Sequence, residues 1–266
     1  MLIKTLITWL CALIPHKVTR ERMRKKLIRG SLHGRIDQLE HKLVFLNQEL
    51  NTLFQYHTGF RMMNDEFQTE RQVIFTTEQA PREHLERYVF AAKQLRDTDT
   101  VLDCACGVGY GSGILARCAL RVLGVDVSEA AVRWADRYFP ANNIEFSVGD
   151  ALTVSLEEPV DVIVSLETIE HLTDDEGLVQ NFHRNLKQGG RLICSVPNET
   201  VVPHAAGNNP YHMRHYTTAE FVALLEKNGF SQLDIYYQPS SSDPEVRKLD
   251  NEQGATIVIV ATKAAG

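Results

Sequence analysis

The sequence predicts an α/β fold with a mostly parallel sheet, and three features indicate it. Residues 101–111, VLDCACGVGYG, place an apolar start, an acid and a run of small residues before a helical stretch at 112–119. That order is typical of a strand, a glycine-rich turn and a helix. Apolar runs then alternate with amphipathic stretches, as in repeated strand–helix units. Finally, two strand-like runs at 233–237 and 256–261 have no helical pattern between them, so we expect antiparallel neighbours at the sheet edge.

The net charge of −6 conceals an asymmetry along the chain. Residues 1–35 hold nine basic and one acidic residues, about +8, so the remainder carries about −14. An acidic body argues against a nucleic-acid partner, whereas the basic start favours an anionic surface. The five cysteines are scattered, odd in number and without metal-ligand spacing, which predicts a reducing cytoplasm.

Residues 1–30 are predicted to form an amphipathic and basic helical segment. The apolar run at 2–14 is too short to span a bilayer, and seven basic residues follow it between 17 and 29. This combination is typical of a helix lying at the surface of a membrane, here the inner membrane. The alternative is a helix packed on the protein's own body with a solvated basic face.

Residues 31–56 are predicted to form a coiled coil. Seven apolar residues between 32 and 53 alternate steps of four and three, which is the heptad pattern of a left-handed supercoil. We therefore expect a homo-oligomer through residues 32–53. The alternative is one amphipathic helix folded onto its own domain. Residues 57–80 are interpreted as a linker, and residues 81–266 as the main domain.

Acids follow two of the predicted strands. The strand at 121–127 contains Asp126 near its end, and the strand at 144–148 is followed by Gly149 and Asp150. An acid at the end of the second strand is well placed to accept hydrogen bonds from both hydroxyls of a ribose. An acid after the third strand can accept one from the exocyclic amine of adenine.

Helix starts are predicted from capping residues. Ser128 can cap the helix that follows the second strand, and capping boxes are predicted at 173–176 and 217–220. The glycine pair at 189–190 is expected to end the helix that begins at the first of these boxes.

From about residue 70 onwards, the chain resembles a class I methyltransferase dependent on S-adenosylmethionine (SAM). The resemblance rests on VLDCACGVGYG, on Asp126, on Gly149–Asp150, on DVIVSLETIEHL, on LKQGGRLICSVPN and on the final strand pair. It implies a Rossmann-like sheet of seven strands, the last antiparallel to the others, behind the helical and coiled-coil extension. SAM is the implied cofactor.

The resemblance also implies which residues lie near SAM. They are Asp103, Ala105, Gly107, Gly109, Asp126, Val127, Asp150, Ala151 and Leu166. Asp126 would hold the ribose, and Asp150 with Ala151 would flank the adenine. Ala105 stands where the family has its first turn glycine, and we expect it to adopt the same bend.

The segment ETIEH at 167–171 follows the fourth predicted strand and supplies Glu167, Glu170 and His171. A divalent ion such as Mg²⁺ or Mn²⁺ held by these side chains would lower the pKa of an acceptor hydroxyl. The pattern is similar to that of small-RNA 2′-O-methyltransferases and ubiquinone-pathway O-methyltransferases. The former use a later histidine as a further ligand, for which His212 and His215 are the candidates. The alternative is a metal-free site in which His171 or His212 is the general base, with Glu167 beside it.

A narrower resemblance links the chain to bacterial methyltransferases of O-antigen and cell-surface polysaccharide synthesis. It is carried by EHLERYVFA, by DCACGVGYGSGILA, by SLETIEHL and by SVPNE followed by NPYHMRHYTTAEF. It implies O-methylation of a sugar hydroxyl on a lipopolysaccharide or lipid-linked glycan. Three alternatives remain: a phenolic or quinone-type acceptor, a scaffold that binds SAM without turnover, and a nicotinamide oxidoreductase, which would leave ETIEH without a role.

Overall fold

A seven-stranded mixed sheet forms the centre of the structure, a computed structural model that describes residues 74, 76–205, 209–250 and 253–264. The predicted α/β fold class is therefore confirmed. The predicted helical segment 1–30 and coiled coil 31–56 lie outside the described residues. None of the helices within the described ranges has the length and apolar character needed to cross a bilayer.

The strands and helices follow one another in a nearly regular alternation. The strands are β1 (Thr100–Cys104), β2 (Arg121–Asp126), β3 (Ile144–Val148), β4 (Val160–Leu166), β5 (Leu186–Pro197), β6 (Phe230–Gln238) and β7 (Thr256–Lys263). The helices are α1 (Arg82–Lys93), α2 (Tyr110–Leu115), α3 (Glu129–Tyr138), α4 (Asp175–Asn185) and α5 (Thr218–Lys227). Short 3₁₀ turns occur at Thr77–Gln79 and Ile169–His171.

The strand order is β3-β2-β1-β4-β5-β7-β6. β1 lies between β2 and β4 and is parallel to both, with Leu102 beside Leu123 on one side and Ile163 on the other. The order reverses between β1 and β4, and ligands of open α/β sheets bind outside the carboxyl ends of the strands at such a point. The turns that follow β1, β2 and β4 therefore meet at one edge.

The last two strands confirm the predicted antiparallel pair. β7 runs antiparallel to both β5 and β6, and β6 forms the edge of the sheet. Ile257, Val258 and Ile259 in β7 are fully buried, as expected for a strand inside a sheet that is covered on both faces.

Capping residues position the helices, with one correction to the predictions. Ser128 caps α3 by accepting a hydrogen bond from Ala131 N, and Thr217 forms the predicted capping box with Glu220 at the start of α5. The box predicted at 173–176 is wrong. Asp174 caps α4 instead, because its side chain accepts a hydrogen bond from Gly177 N at 2.9 Å.

Two helix ends also differ from the predictions. α4 stops at Asn185 rather than at the glycine pair, because Leu186 is buried and pairs with Val160 as the first residue of β5. α2 ends at Leu115 rather than at 119. Leu120 N then donates to Asp99 O, which directs the chain into β2.

The main core packs α4 and α5 against the central strands. Its largest fully buried side chains include Phe182 and Phe221 from these helices and Leu192 from β5. Each such side chain contributes roughly 1.5–3 kcal/mol through the apolar surface it removes from water. At the amino-terminal side of the described domain, Ile74 is buried and its carbonyl accepts a hydrogen bond from Trp134 Nε1 at 2.8 Å.

Candidate functional site

The turn after β1 adopts left-handed backbone conformations. Ala105, Gly107 and Gly109 have φ values of 63°, 56° and 87°. Ala105 takes the bend expected of it, at the energetic cost of a side chain in this region. A Cβ atom on Gly109 would lie 2.5 Å from Ala135 Cβ, so the turn packs directly on α3. A Cβ on Gly107 would meet nothing within 4 Å, so at that residue the turn borders open space.

Asp126 holds this turn in place from the end of β2. The side chain is 2% exposed, and its two oxygens accept backbone hydrogen bonds from Gly107 N and Ser128 N, both at 2.9 Å. The carboxylate thus joins the glycine-rich turn to the cap of α3. Its position at the end of β2 is the one predicted for a ribose-binding acid.

Two exposed apolar side chains stand next to the acids at the ends of β2 and β3. Val127 is 63% exposed and Val148 is 53% exposed. Asp150 is exposed, and its Oδ1 accepts a hydrogen bond from Leu152 N at 2.9 Å. Ala151 is half-buried, and its carbonyl accepts from Asn181 on α4. Apolar surface beside a hydrogen-bond acceptor suits a flat base with a polar edge.

Asp103 lies inside the protein, with its side chain fully buried. Its carboxylate accepts hydrogen bonds from Ser112 Oγ at 2.6 Å and from the Tyr88 hydroxyl at 3.2 Å. Burial raises the pKa of this carboxyl to about 7, although both hydrogen bonds act in the opposite direction. Asp103 therefore anchors Tyr88 of α1 against α2, a contact that no local sequence pattern revealed.

Glu167, directly after β4, has an unusual backbone conformation for a residue with a side chain, with φ at 51°. Glu167 Oε1 accepts a hydrogen bond from Ser195 Oγ at 2.8 Å. The backbone N–H of Glu167 donates to Ser195 Oγ at 3.0 Å. Leu166, predicted near SAM, is half-buried at the end of β4. Backbone strain of this kind concentrates at functional sites.

A carboxylate and two imidazoles meet just beyond Glu167. Glu170, His171 and His212 each offer one ligand atom, and these atoms lie within 4.8 Å of one another. Glu170 is fully buried, and the two histidines are half-buried. Glu167 was predicted as a fourth ligand but is not part of this group, because its side chain is directed to Ser195.

Backbone contacts bring the two parts of this group together across about forty residues of sequence. Met213 N donates to the carbonyl of Glu170 at 2.7 Å. His171 Nδ1 lies 3.0 Å from the carbonyl oxygen of Tyr211. Because a carbonyl only accepts, Nδ1 carries the hydrogen, and the lone pair of the neutral ring is on Nε2, 4.0 Å from Glu170 Oε1.

Two tyrosines flank the loop segment 212–215, and they differ in role. Tyr216 is 1% exposed, and its hydroxyl donates to Asp175 Oδ2 at 2.8 Å, so it is a core residue. Tyr211 is 43% exposed beside the histidines, which leaves its ring accessible to a ligand.

Part of the chain is similar in sequence to known methyltransferases. Residues 102–194 match the family described as a methyltransferase domain. A probable S-adenosylmethionine-dependent methyltransferase of Mycolicibacterium smegmatis is 35% identical over 164 residues, 59% of this chain and 61% of the relative. A ubiquinone biosynthesis O-methyltransferase of Maricaulis maris is 32% identical over 104 residues, 38% of this chain and 41% of the relative. The match to the first relative thus spans less than two thirds of that protein's length.

Solved structures share the fold at low sequence identity. The N-methyltransferase NodS of Bradyrhizobium japonicum, solved with S-adenosyl-L-homocysteine, has a TM-score of 0.57 at 17% identity, over 77% of this chain and 98% of NodS. A chain from the complex between the Haloferax volcanii Trm112 methyltransferase activator and a methyltransferase has a TM-score of 0.58 at 20% identity. The match covers 71% of this chain and 94% of that chain. The described domain therefore has the Rossmann-like fold of class I methyltransferases, and residues 102–194 match the methyltransferase domain.

Proposed function

We propose that the chain transfers a methyl group from SAM to a sugar hydroxyl in lipopolysaccharide, O-antigen or related glycan synthesis, assisted by a divalent metal ion. The observation that carries this proposal is the group formed by Glu170, His171 and His212. Glu170 and His171 follow β4, the strand beside β1, so they lie at the same edge of the sheet as the turn that would hold the cofactor. His212 joins them from the loop after β5.

The residues around that turn fit SAM. The open space at Gly107 leaves room for the amino-acid part, Asp126 can accept from the ribose hydroxyls, and Val127 with Val148 offers apolar surface to the adenine. SAM supplies an activated methyl group when bound. The protein's contribution is to align an acceptor oxygen with the bond between sulfur and methyl, since in-line geometry at close approach removes much of the entropic barrier.

The group at Glu170 fits a divalent ion by its chemistry. One carboxylate and two imidazoles form a mixed oxygen and nitrogen donor set, which suits Mn²⁺ better than Mg²⁺ because Mg²⁺ prefers oxygen ligands. An ion held there would lower the pKa of a neighbouring hydroxyl. In the metal-free alternative, the Nε2 atom of His171 is the general base.

The acceptor class is proposed from sequence resemblance. The segments shared with polysaccharide-associated methyltransferases favour a sugar or a lipid-linked glycan, and the exposed ring of Tyr211 offers a stacking surface for it. A phenolic or quinone-type acceptor is the second candidate, favoured by the similarity to ubiquinone biosynthesis O-methyltransferases. We further propose a cytoplasmic homo-oligomer formed through residues 32–53, with residues 1–30 at the inner membrane surface.

The test is SAM turnover on nucleotide sugars, lipid-linked glycan fragments and catechols, each with EDTA, with added Mn²⁺ and with added Mg²⁺. We expect turnover on a glycan that EDTA abolishes and Mn²⁺ restores. Turnover that EDTA leaves unchanged would reject the metal. Turnover on catechols alone would move the assignment to the phenolic acceptor. Tight SAM binding without any turnover would favour a non-catalytic scaffold.

A further inference from the structure

A chain of hydrogen bonds connects His212 to the end of β5 through His215. His212 Nδ1 lies 2.7 Å from His215 Nε2, and His215 Nδ1 lies 2.6 Å from the carbonyl oxygen of Val202. Val202 N in turn donates to Asn198 O at 2.8 Å, directly after β5. The His215 side chain is only 7% exposed, so its ring has a fixed position inside the loop.

The direction of each hydrogen bond follows from the carbonyl at the end of the chain. Val202 O can only accept, so His215 Nδ1 carries a hydrogen. In the neutral ring, His215 Nε2 is then an acceptor, and the hydrogen between the two rings belongs to His212 Nδ1. The lone pair of the His212 ring is therefore on Nε2. The Tyr211 carbonyl imposes the same tautomer on His171.

We propose that His215 is a positioning residue that holds His212 as the Nδ1–H tautomer, so that Nε2 is the ring atom that His212 contributes to the group with Glu170 and His171. A neutral histidine side chain in water favours the Nε2–H tautomer, so selection of the Nδ1–H form needs a fixed acceptor. Histidines that bind metals commonly donate their other ring N–H to such a partner, and its loss typically costs about 10- to 100-fold in metal affinity. The consequence for metal binding rests on the proposed function, whereas the tautomer does not.

The surroundings of His215 supply a matched control. The His204 ring lies 5.1 Å from the His215 ring, centroid to centroid, on the same loop. Glu199 Oε2 is 3.9 Å from His215 Nδ1 and accepts a hydrogen bond from His204 N at 2.8 Å. Because the His204 ring is outside the hydrogen-bond chain, His204→Leu changes the packing at His215 without removing the acceptor for His212.

The experiment is heteronuclear NMR of the full chain without metal, labelled with ¹⁵N-histidine, to read the tautomer of His212 in the wild type and three variants. We expect the Nδ1–H form in the wild type and in His204→Leu. His215→Gln should retain it, since an amide can accept from His212 and donate to Val202 O. His215→Leu should move His212 to the Nε2–H form. A wild-type His212 in the Nε2–H form, or no change in His215→Leu, would overturn the inference.

Titration of the same proteins with Mn²⁺ separates this inference from the proposed function. We expect about 10- to 100-fold weaker Mn²⁺ binding in His215→Leu and an affinity within about threefold of wild type in His215→Gln. If neither the wild type nor any variant binds Mn²⁺ while the tautomers behave as expected, the metal proposal fails and the positioning role of His215 is supported.

Discussion

One carboxylate oxygen of Asp126 accepts a 2.9 Å hydrogen bond from the backbone N–H of Gly107, while the other accepts from Ser128 N at the same distance. The acid proposed to bind the ribose is thus also the residue that ties the glycine-rich turn to the start of α3. If Asp126 binds the ribose as proposed, cofactor binding and the shape of the turn depend on the same two oxygen atoms.

Asp126→Asn should weaken SAM binding roughly 10-fold or more and also destabilise the fold. An amide keeps only one acceptor oxygen, so one of the two buried N–H groups would face an NH₂ group, at a cost of about 1–3 kcal/mol in the free energy of unfolding. Calorimetric titration with SAM and urea denaturation measure the two effects.

The control for this substitution is Asp136→Asn, an exposed acid on α3. It should bind SAM and unfold like the wild type. Unchanged SAM affinity in Asp126→Asn would show that Asp126 acts on the turn alone and does not contact the cofactor.

Glu170→Gln should reduce Mn²⁺ affinity on the order of 100-fold, because the amide removes the negative charge from the proposed metal group while keeping the shape of the side chain. SAM affinity should stay unchanged, since Glu170 is proposed to hold the metal ion and is not among the residues proposed to contact SAM. Glu158→Gln, at an exposed residue, is the control. Equal Mn²⁺ affinity in both variants would argue that Glu170 is not a ligand.

The sheet and the backbone of the proposed cofactor turn were predictable because their signals are local. The turn at 101–111, the acid Asp126 and the cap Ser128 each follow from a few consecutive residues. Asp174 was missed as the cap of α4 because Thr173 beside it has the spacing of a capping box with Glu176, and only the path of the chain selects between them.

The proposed metal group was predictable only in part, because its geometry depends on contacts between distant segments. The position of Glu167 is set by Ser195, 28 residues away in an apolar strand whose sequence gives no sign of this contact. The role of His215 likewise depends on the Val202 carbonyl, which only the folded loop brings near. A pattern such as ETIEH indicates the residue types of a site but not which side chains converge.

Asp103 should make the stability of the domain depend on pH. Its carboxyl has a folded-state pKa of about 7 against an ordinary value of 3.8, so between these values the folded protein holds a proton that the unfolded chain has lost. The free energy of unfolding should therefore fall as pH rises from about 4 to about 7, with a slope of up to about 1.4 kcal/mol per pH unit from this group.

Asp103→Asn should remove that contribution, because the amide stays neutral and both hydroxyl partners can rotate to suit it. Urea denaturation at several pH values, with the exposed Asp97→Asn as control, compares the slopes. Parallel pH profiles for Asp103→Asn and the wild type would contradict the expected protonation.

Two glycines in the short helix α2 provide the sharpest test of packing near the turn. A Cβ on Gly111 would lie 2.0 Å from Tyr88 Cζ, whereas a Cβ on Gly113 would lie 4.0 Å from Phe139 Cδ1, an ordinary contact. Gly111→Ala should therefore displace Tyr88 from Asp103 and cost about 1–3 kcal/mol in the free energy of unfolding. Gly113→Ala should be neutral or stabilise the helix by up to about 1 kcal/mol. Thermal denaturation of both variants measures this difference in stability. Equal melting temperatures would mean that Tyr88 is not packed against this face of α2.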